Sequence, residues 1–140
     1  MKFLLAATLL FSLFFISCND DDCYQPSEKI IFEFVNSKNE NLIENGSINV
    51  STISITRILD ENSSVGITGN KIENNKVILH EAISRFDGSA NFLFTTNLKL
   101  FKFNITSSKM KDCNGYTIKS INFDNLNTSK SENTYKIVLD

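Results

Sequence analysis

From residue 29 onward, apolar side chains recur mostly at every second position, the period of a half-buried β-strand. In the stretch KIIFEFV, Ile30, Phe32 and Phe34 share one face while Ile31, Glu33 and Val35 share the other. The polar run NSKNEN that follows reads as a loop. In STISITRIL, Ile53 and Ile55 alternate with Ser54 and Thr56, and DENSS then breaks the pattern. VGI offers a short extended piece before TGN turns the chain again. Near the end, Tyr135, Ile137 and Leu139 alternate with Lys136 and Val138, which predicts a last strand tied into a sheet.

Two stretches carry a mixed signal. In LKLFKFNI, Leu98 and Leu100 have one parity and Phe101, Phe103 and Ile105 the other. Side chains cannot change face without a break in register, so a bulge near Leu100–Phe101 is expected, or burial of both faces. In KVILHEAISRF, Leu79, Ala82, Ile83 and Phe86 form a helical stripe that Asn75 would cap. The same segment is strand-like at Val77, Leu79 and Ile83, and its strongly β-prone neighbours favour a strand across residues 76–86. Asn114-Gly115, within CNGY, is a strong two-residue hairpin signal. It predicts pairing between the residues before Cys113 and YTIKSINF. About eight short strands with frequent turns point to an all-β protein, a small antiparallel β-sandwich. A small up-and-down β-barrel is the alternative, though the chain has no tryptophan and no early Gly-x-Trp of the lipocalin kind.

The first 22 residues follow a different rule. Lys2 is followed by an almost wholly apolar run, Phe3 to Phe15. That is short for a bilayer span, which takes about 20 residues, and fits the apolar core of a secretory signal. The run ends in Phe15-Ile16-Ser17-Cys18, then Asn19-Asp20-Asp21-Asp22. This segment resembles bacterial lipoprotein precursors: apolar, variable, small, then the cysteine that receives lipid and becomes the new first residue. Phe15 stands where leucine is commoner. The acidic tract Asp20, Asp21, Asp22 is similar to the signal that sends lipoproteins of Bacteroidota to the outer face of the outer membrane. The resemblance covers Met1 to about Asp22. It implies a removed signal peptide (1–17), an acylated tether and entry segment (18–27), and a single β-rich domain (28–140). Cys18 would carry the lipid, with long acyl chains such as palmitate, and the protein would be anchored in the outer membrane, facing the cell surface. Each buried methylene adds about 0.8 kcal/mol of membrane affinity, so several acyl chains hold almost permanently.

On that reading Cys18 is taken by lipid, which leaves Cys23 and Cys113 in an oxidising compartment as a disulfide candidate. Two free thiols are the alternative. A closed loop of that length would stabilise by about 4–5 kcal/mol in the chain-entropy model. It would also hold the domain no more than about 17 Å from the headgroups through the five-residue tether. Removing residues 1–17 deletes Lys2 alone among the charges and leaves 13 basic against 16 acidic side chains, a net −3. A mildly acidic domain with scattered lysines has no electrostatic footprint for nucleic acid.

Candidate chemistry is thin. His80 is the one histidine. It opens HEAIS like a zinc-protease motif, but Ser84 stands where the second histidine is needed. Asp60, Asn62 and Ser64 sit at the first three ligand positions of a calcium loop. Gly66, however, falls one place late, and Lys71 replaces the bidentate glutamate. No nucleophile elbow, phosphate loop or dinucleotide fingerprint occurs, and any serine triad would have to use His80. Phe32, Phe34, Phe92, Phe94 and Phe101 alternate along strands, where core packing is the simplest role. The sequence therefore predicts no enzyme, no cofactor and no metal, but a non-enzymatic binding or envelope-assembly module with an envelope protein as partner. A protease inhibitor presenting DENSSVGITGN, or an extracellular hydrolase, is the alternative.

Overall fold

The structure, a computed structural model, describes residues 23–139. Ten strands make two five-stranded sheets that face one another as a β-sandwich, with no closed barrel. In chain order they are β1 (Ile31–Val35), β2 (Ser54–Ile58), β3 (Ser64–Gly66), β4 (Lys71–Glu73), β5 (Lys76–Ile78), β6 (Gly88–Thr95), β7 (Leu100–Lys109), β8 (Tyr116–Phe123), β9 (Thr128–Ser131) and β10 (Thr134–Val138). The sheets run β4-β5-β1-β10-β9 and β3-β2-β6-β7-β8. Every pairing is antiparallel except β1 with β10, which lie parallel in the middle of the first sheet. The count exceeds the expected eight because the turn-rich stretch from Ser64 to Ile78 holds three strands of three residues each. Pieces that short carry too little alternation to be read from sequence.

The alternation in β1 and β10 sorts the core as expected. Ile30, Phe32, Phe34, Tyr135, Ile137 and Leu139 are all buried. Phe32 is the hub: the rings of Phe34, Phe94, Phe103, Phe123 and Tyr135 lie with centroids 5.4–6.2 Å from its own. In the facing sheet the ring contacts follow the register. Phe92 is the ladder partner of Phe103 and Phe94 of Phe101, and both pairs stack, at 5.2 and 5.1 Å. Phe103 in turn stacks on its β8 partner Phe123 at 5.9 Å. Offset cross-strand ring pairs contribute about 0.5–1.5 kcal/mol beyond the area they bury.

Three local expectations are corrected. The β7 bulge is not at Leu100–Phe101. Leu98 and Leu100 simply face solvent, 50% and 57% exposed, flanking the hairpin turn whose backbone the Thr96 hydroxyl holds. The register shift lies further on, at Thr106/Ser107, where Lys119 of β8 is the extra residue. The segment 76–86 is strand only over β5. His80 then opens a 3-10 turn, Glu81–Ile83, its ring Nδ1 accepting from the Ala82 amide at 3.2 Å. Leu79 and Ile83 are buried but Ala82 is exposed, so the helical stripe is not used as one. Asn75 caps nothing. It sits with Asn74 in the β4–β5 turn, both at positive φ (59° and 51°), the pairing that matches strand twist in a two-residue hairpin.

The third correction concerns Asn114-Gly115. The β7–β8 hairpin forms as expected, but its loop runs over six residues, Met110 to Gly115, closed by Met110 N–H donating to the Gly115 carbonyl at 3.0 Å. Gly115 is required for another reason. A Cβ there would lie 2.6 Å from the Gln25 carbonyl oxygen, so only glycine admits the entry segment this close.

Candidate site at the disulfide end

Cys23 is disulfide-bonded to Cys113, with Cα atoms 4.8 Å apart and a sequence separation of 90. Cys18 and Asp20–Asp22 lie outside the described residues. The bond is one of several contacts that lay the entry segment along the start of β8. Tyr24 and Asn114 form a parallel bridge. Gln25 N–H donates to the Asn114 carbonyl at 3.1 Å, and Asn114 N–H to the Cys23 carbonyl at 2.7 Å. Further along, the Thr117 hydroxyl donates to Glu28 at 3.1 Å. Arg85 donates to the Tyr24 hydroxyl and pairs with Glu81 at 3.1 Å. The chain therefore enters the sandwich through a covalent and hydrogen-bonded clamp about one strand-width across.

Around this clamp the surface is basic and partly aromatic. A hollow of ≈ 410 Å³ beside Cys113 is lined by Lys109, Lys111 and Lys119 with Met110. Its neighbour, ≈ 420 Å³, lies between Tyr24, Tyr116 and Arg85. The three lysines are exposed, and none makes an ion pair among the described residues. Asp112 and Glu28 are the carboxylates nearest by chain and contact.

The opposite end of β1 carries a different site. After Val35 the loop 36–46 folds back over the sheet, closed by the Asn36 side chain, which accepts from the Lys38 and Glu40 amides at 3.0 and 2.9 Å. Asn41 repeats the device at Ile43 and Glu44 and ties the loop to the β4–β5 turn, its amide donating to the Asn75 carbonyl at 3.1 Å. Between loop and turn lies a concavity of ≈ 630 Å³. Its floor is the Glu33–Lys76 ion pair at 3.1 Å, and its walls are amides and carboxylates of Asn39, Asn41, Glu40 and Glu44. Lys136 donates to Asn39 Oδ1 at 3.0 Å. The polar run NSKNEN was legible as a loop, but nothing in it announced a cleft.

The remaining candidates resolve into local structure. His80 has its Nδ1 engaged at the 3-10 turn and its backbone held by Asn70 at 2.9 Å, while the ring abuts Gly69. Ser84 uses its hydroxyl on the Glu81 carbonyl. Asp60 accepts from the Ser63 hydroxyl and from the Asn62 amide at 2.8 Å, and these bonds, the Ser63 one first, hold its carboxyl below the ordinary value. Asp60 thus closes the β2–β3 turn with Asn62 and Ser63, while Ser64 opens β3 opposite Ile58. Among the described residues no group of three His, Cys, Asp or Glu side chains is disposed to hold a metal ion, and no helix is long and apolar enough to cross a membrane. Set against family models, curated proteins and solved structures, the chain matches none.

Proposed function

We propose that this chain is a lipid-anchored lipoprotein of the outer membrane, displayed at the cell surface, and that it works as a non-enzymatic binding module. The acyl chains sit on Cys18, Asp20–Asp22 direct export, and the β-sandwich presents a polar surface to an envelope protein or ligand. The observation that carries this reading is the Cys23–Cys113 bond, five residues beyond Cys18. A disulfide suits an exported protein, and at this position it leaves a mooring of five residues, at most about 17 Å, between lipid and domain.

The placement of the two surfaces supports display. The clamp precedes β1, whereas the asparagine-lined cleft is built on Glu33 within the strand and on the loop that follows it. A domain held at the clamp turns the cleft outward. Its lining of fixed amides and carboxylates suits a polar partner rather than an apolar ligand. The engagement of His80 and Ser84 in turn geometry favours binding over hydrolysis.

The test is metabolic labelling with a fatty acid in the native host, comparing the wild type with Cys18→Ala, together with protease treatment of whole cells. Label in the wild type, lost in the variant, with the domain cleaved from outside, is the expected result. Label that survives Cys18→Ala overturns the anchor, and complete protection from protease in intact cells overturns surface display.

A further inference from the structure

We infer that the lysine-lined hollow beside the disulfide is a membrane-facing site that binds the phosphates of anionic lipid headgroups. This rests on the anchor at Cys18 proposed above. The mooring keeps Cys23 within about 17 Å of the headgroup plane, and its partner Cys113, with Cα atoms 4.8 Å apart, close to that limit. The surface around Cys113 carries Lys109, Lys111 and Lys119, exposed and without ion pairs among the described residues, around one hollow of ≈ 410 Å³. Long lysine stems reach several ångströms beyond the backbone, and Met110, Tyr116 and the exposed Tyr24 supply the amphipathic side chains that suit a membrane interface. The rest of the domain does not share this bias: from Cys23 onward 13 basic and 13 acidic side chains balance, and without the hollow's three lysines and Asp112 the remainder is net −2.

Three negative groups oppose or compete. Asp112 lines the hollow and Glu28 accepts from the Thr117 hydroxyl at its edge, and both reduce the local positive charge without an ion pair to the lysines among the described residues. Asp20–Asp22 immediately precede Cys23, so the tether keeps their carboxylates within about 10 Å of the clamp. The lysines therefore have two candidate anions, the tract and the membrane. Headgroups are favoured because they form a continuous negative surface that all three lysines meet at once, each adding about fivefold to the attraction. The tract is one short strip, pulled toward the membrane by Cys18.

The experiment uses the acylated protein from its native host, its acylation and disulfide checked by intact mass, in vesicles of phosphatidylcholine with or without phosphatidylglycerol. Amide hydrogen exchange is followed in the loop 109–116, with the Asn74–Asn75 turn as internal control. Expected is at least about fivefold slower exchange in the loop on anionic vesicles, reversed by high salt and by the triple change Lys109→Gln, Lys111→Gln, Lys119→Gln, with the control turn unmoved. Equal exchange on both vesicle types, in protein proven acylated, overturns the inference and leaves the anchor standing. Slowing seen only when Asp20, Asp21 and Asp22 are changed to Asn shows the tract in the hollow and also overturns it. Protein without acyl mass overturns both readings.

Discussion

The interior of the sandwich and the clamp at its entrance are held by opposite means. The interior is built of side chains that water never reaches: Phe32, Phe34, Phe92 and Phe94 have no exposed surface at all, the first two meet Phe94 across the sheets, and Phe92 stacks on Phe103. At the clamp, Cys23, Tyr24, Gln25 and Asn114 are exposed, and the attachment relies on one covalent bond and a few backbone hydrogen bonds. Burial stabilises the native state directly. A cross-link acts largely on the unfolded chain, whose freedom it removes. The first mechanism fixes shape, whereas the second fixes where the leader leaves that shape.

Four measurements would break or sharpen this contrast. Phe103→Ala, at the junction of two ring stacks, is expected to cost about 3–5 kcal/mol, read as a lower urea midpoint with an unchanged m-value. Replacing Cys23 and Cys113 together by serine is expected to cost about 2–5 kcal/mol. Here the m-value should rise, because the freed unfolded chain exposes more surface. Near-UV circular dichroism of the interior should persist. An unchanged m-value would mean the bond stabilises the native state itself, and the contrast would fail.

Gly115→Ala is expected to cost about 1–3 kcal/mol through its clash with the Gln25 carbonyl. The same change in the serine double variant should cost less, since the entry segment can then move aside. A double-mutant cycle that returned no coupling would separate Gly115 from the clamp. The smallest effect belongs to a turn outside both regions. Asp60, fully exposed, should titrate below 3.8, and Ser63→Ala should bring it back toward that value, as followed by carboxyl NMR. Because its folded pKa is lowered, the small stability it adds is present above the unfolded pKa and is lost as pH falls through the folded one.

The interior was far more legible in the sequence than the surface. Parity alone placed Phe32, Phe34, Ile137 and Leu139 inward, because a strand has only two faces and one of them must be dry. Parity misread Leu98 and Leu100, where apolar residues at a turn face solvent and no bulge is needed. The hairpin signal at Asn114-Gly115 located the right hairpin for the wrong reason: its loop is set by the entry segment packed against it, a contact from far away in sequence. The true two-residue turn is Asn74-Asn75, where asparagine takes the left-handed conformation usually given to glycine. Cys23 and Cys113 were found because only chemistry, not periodicity, was needed to pair them. The cleft over β1 and the lysines around Cys113 assemble from loops and hairpin ends that meet only after folding, and local pattern has no access to that.

The parallel pairing of β1 with β10 has a temporal consequence. The middle of one sheet is made of two strands far apart in sequence, in register from Ile31↔Thr134 to Val35↔Val138. Until residues 134–138 are free, β1 has only the short β5 to pair with, and the Phe32 ring lacks the lid that Tyr135 provides. Such distant pairings delay commitment to the native state. A chain threaded through a pore or still held by a ribosome would thus remain unlocked until residues 134–138 emerge, and this sheet would close only then.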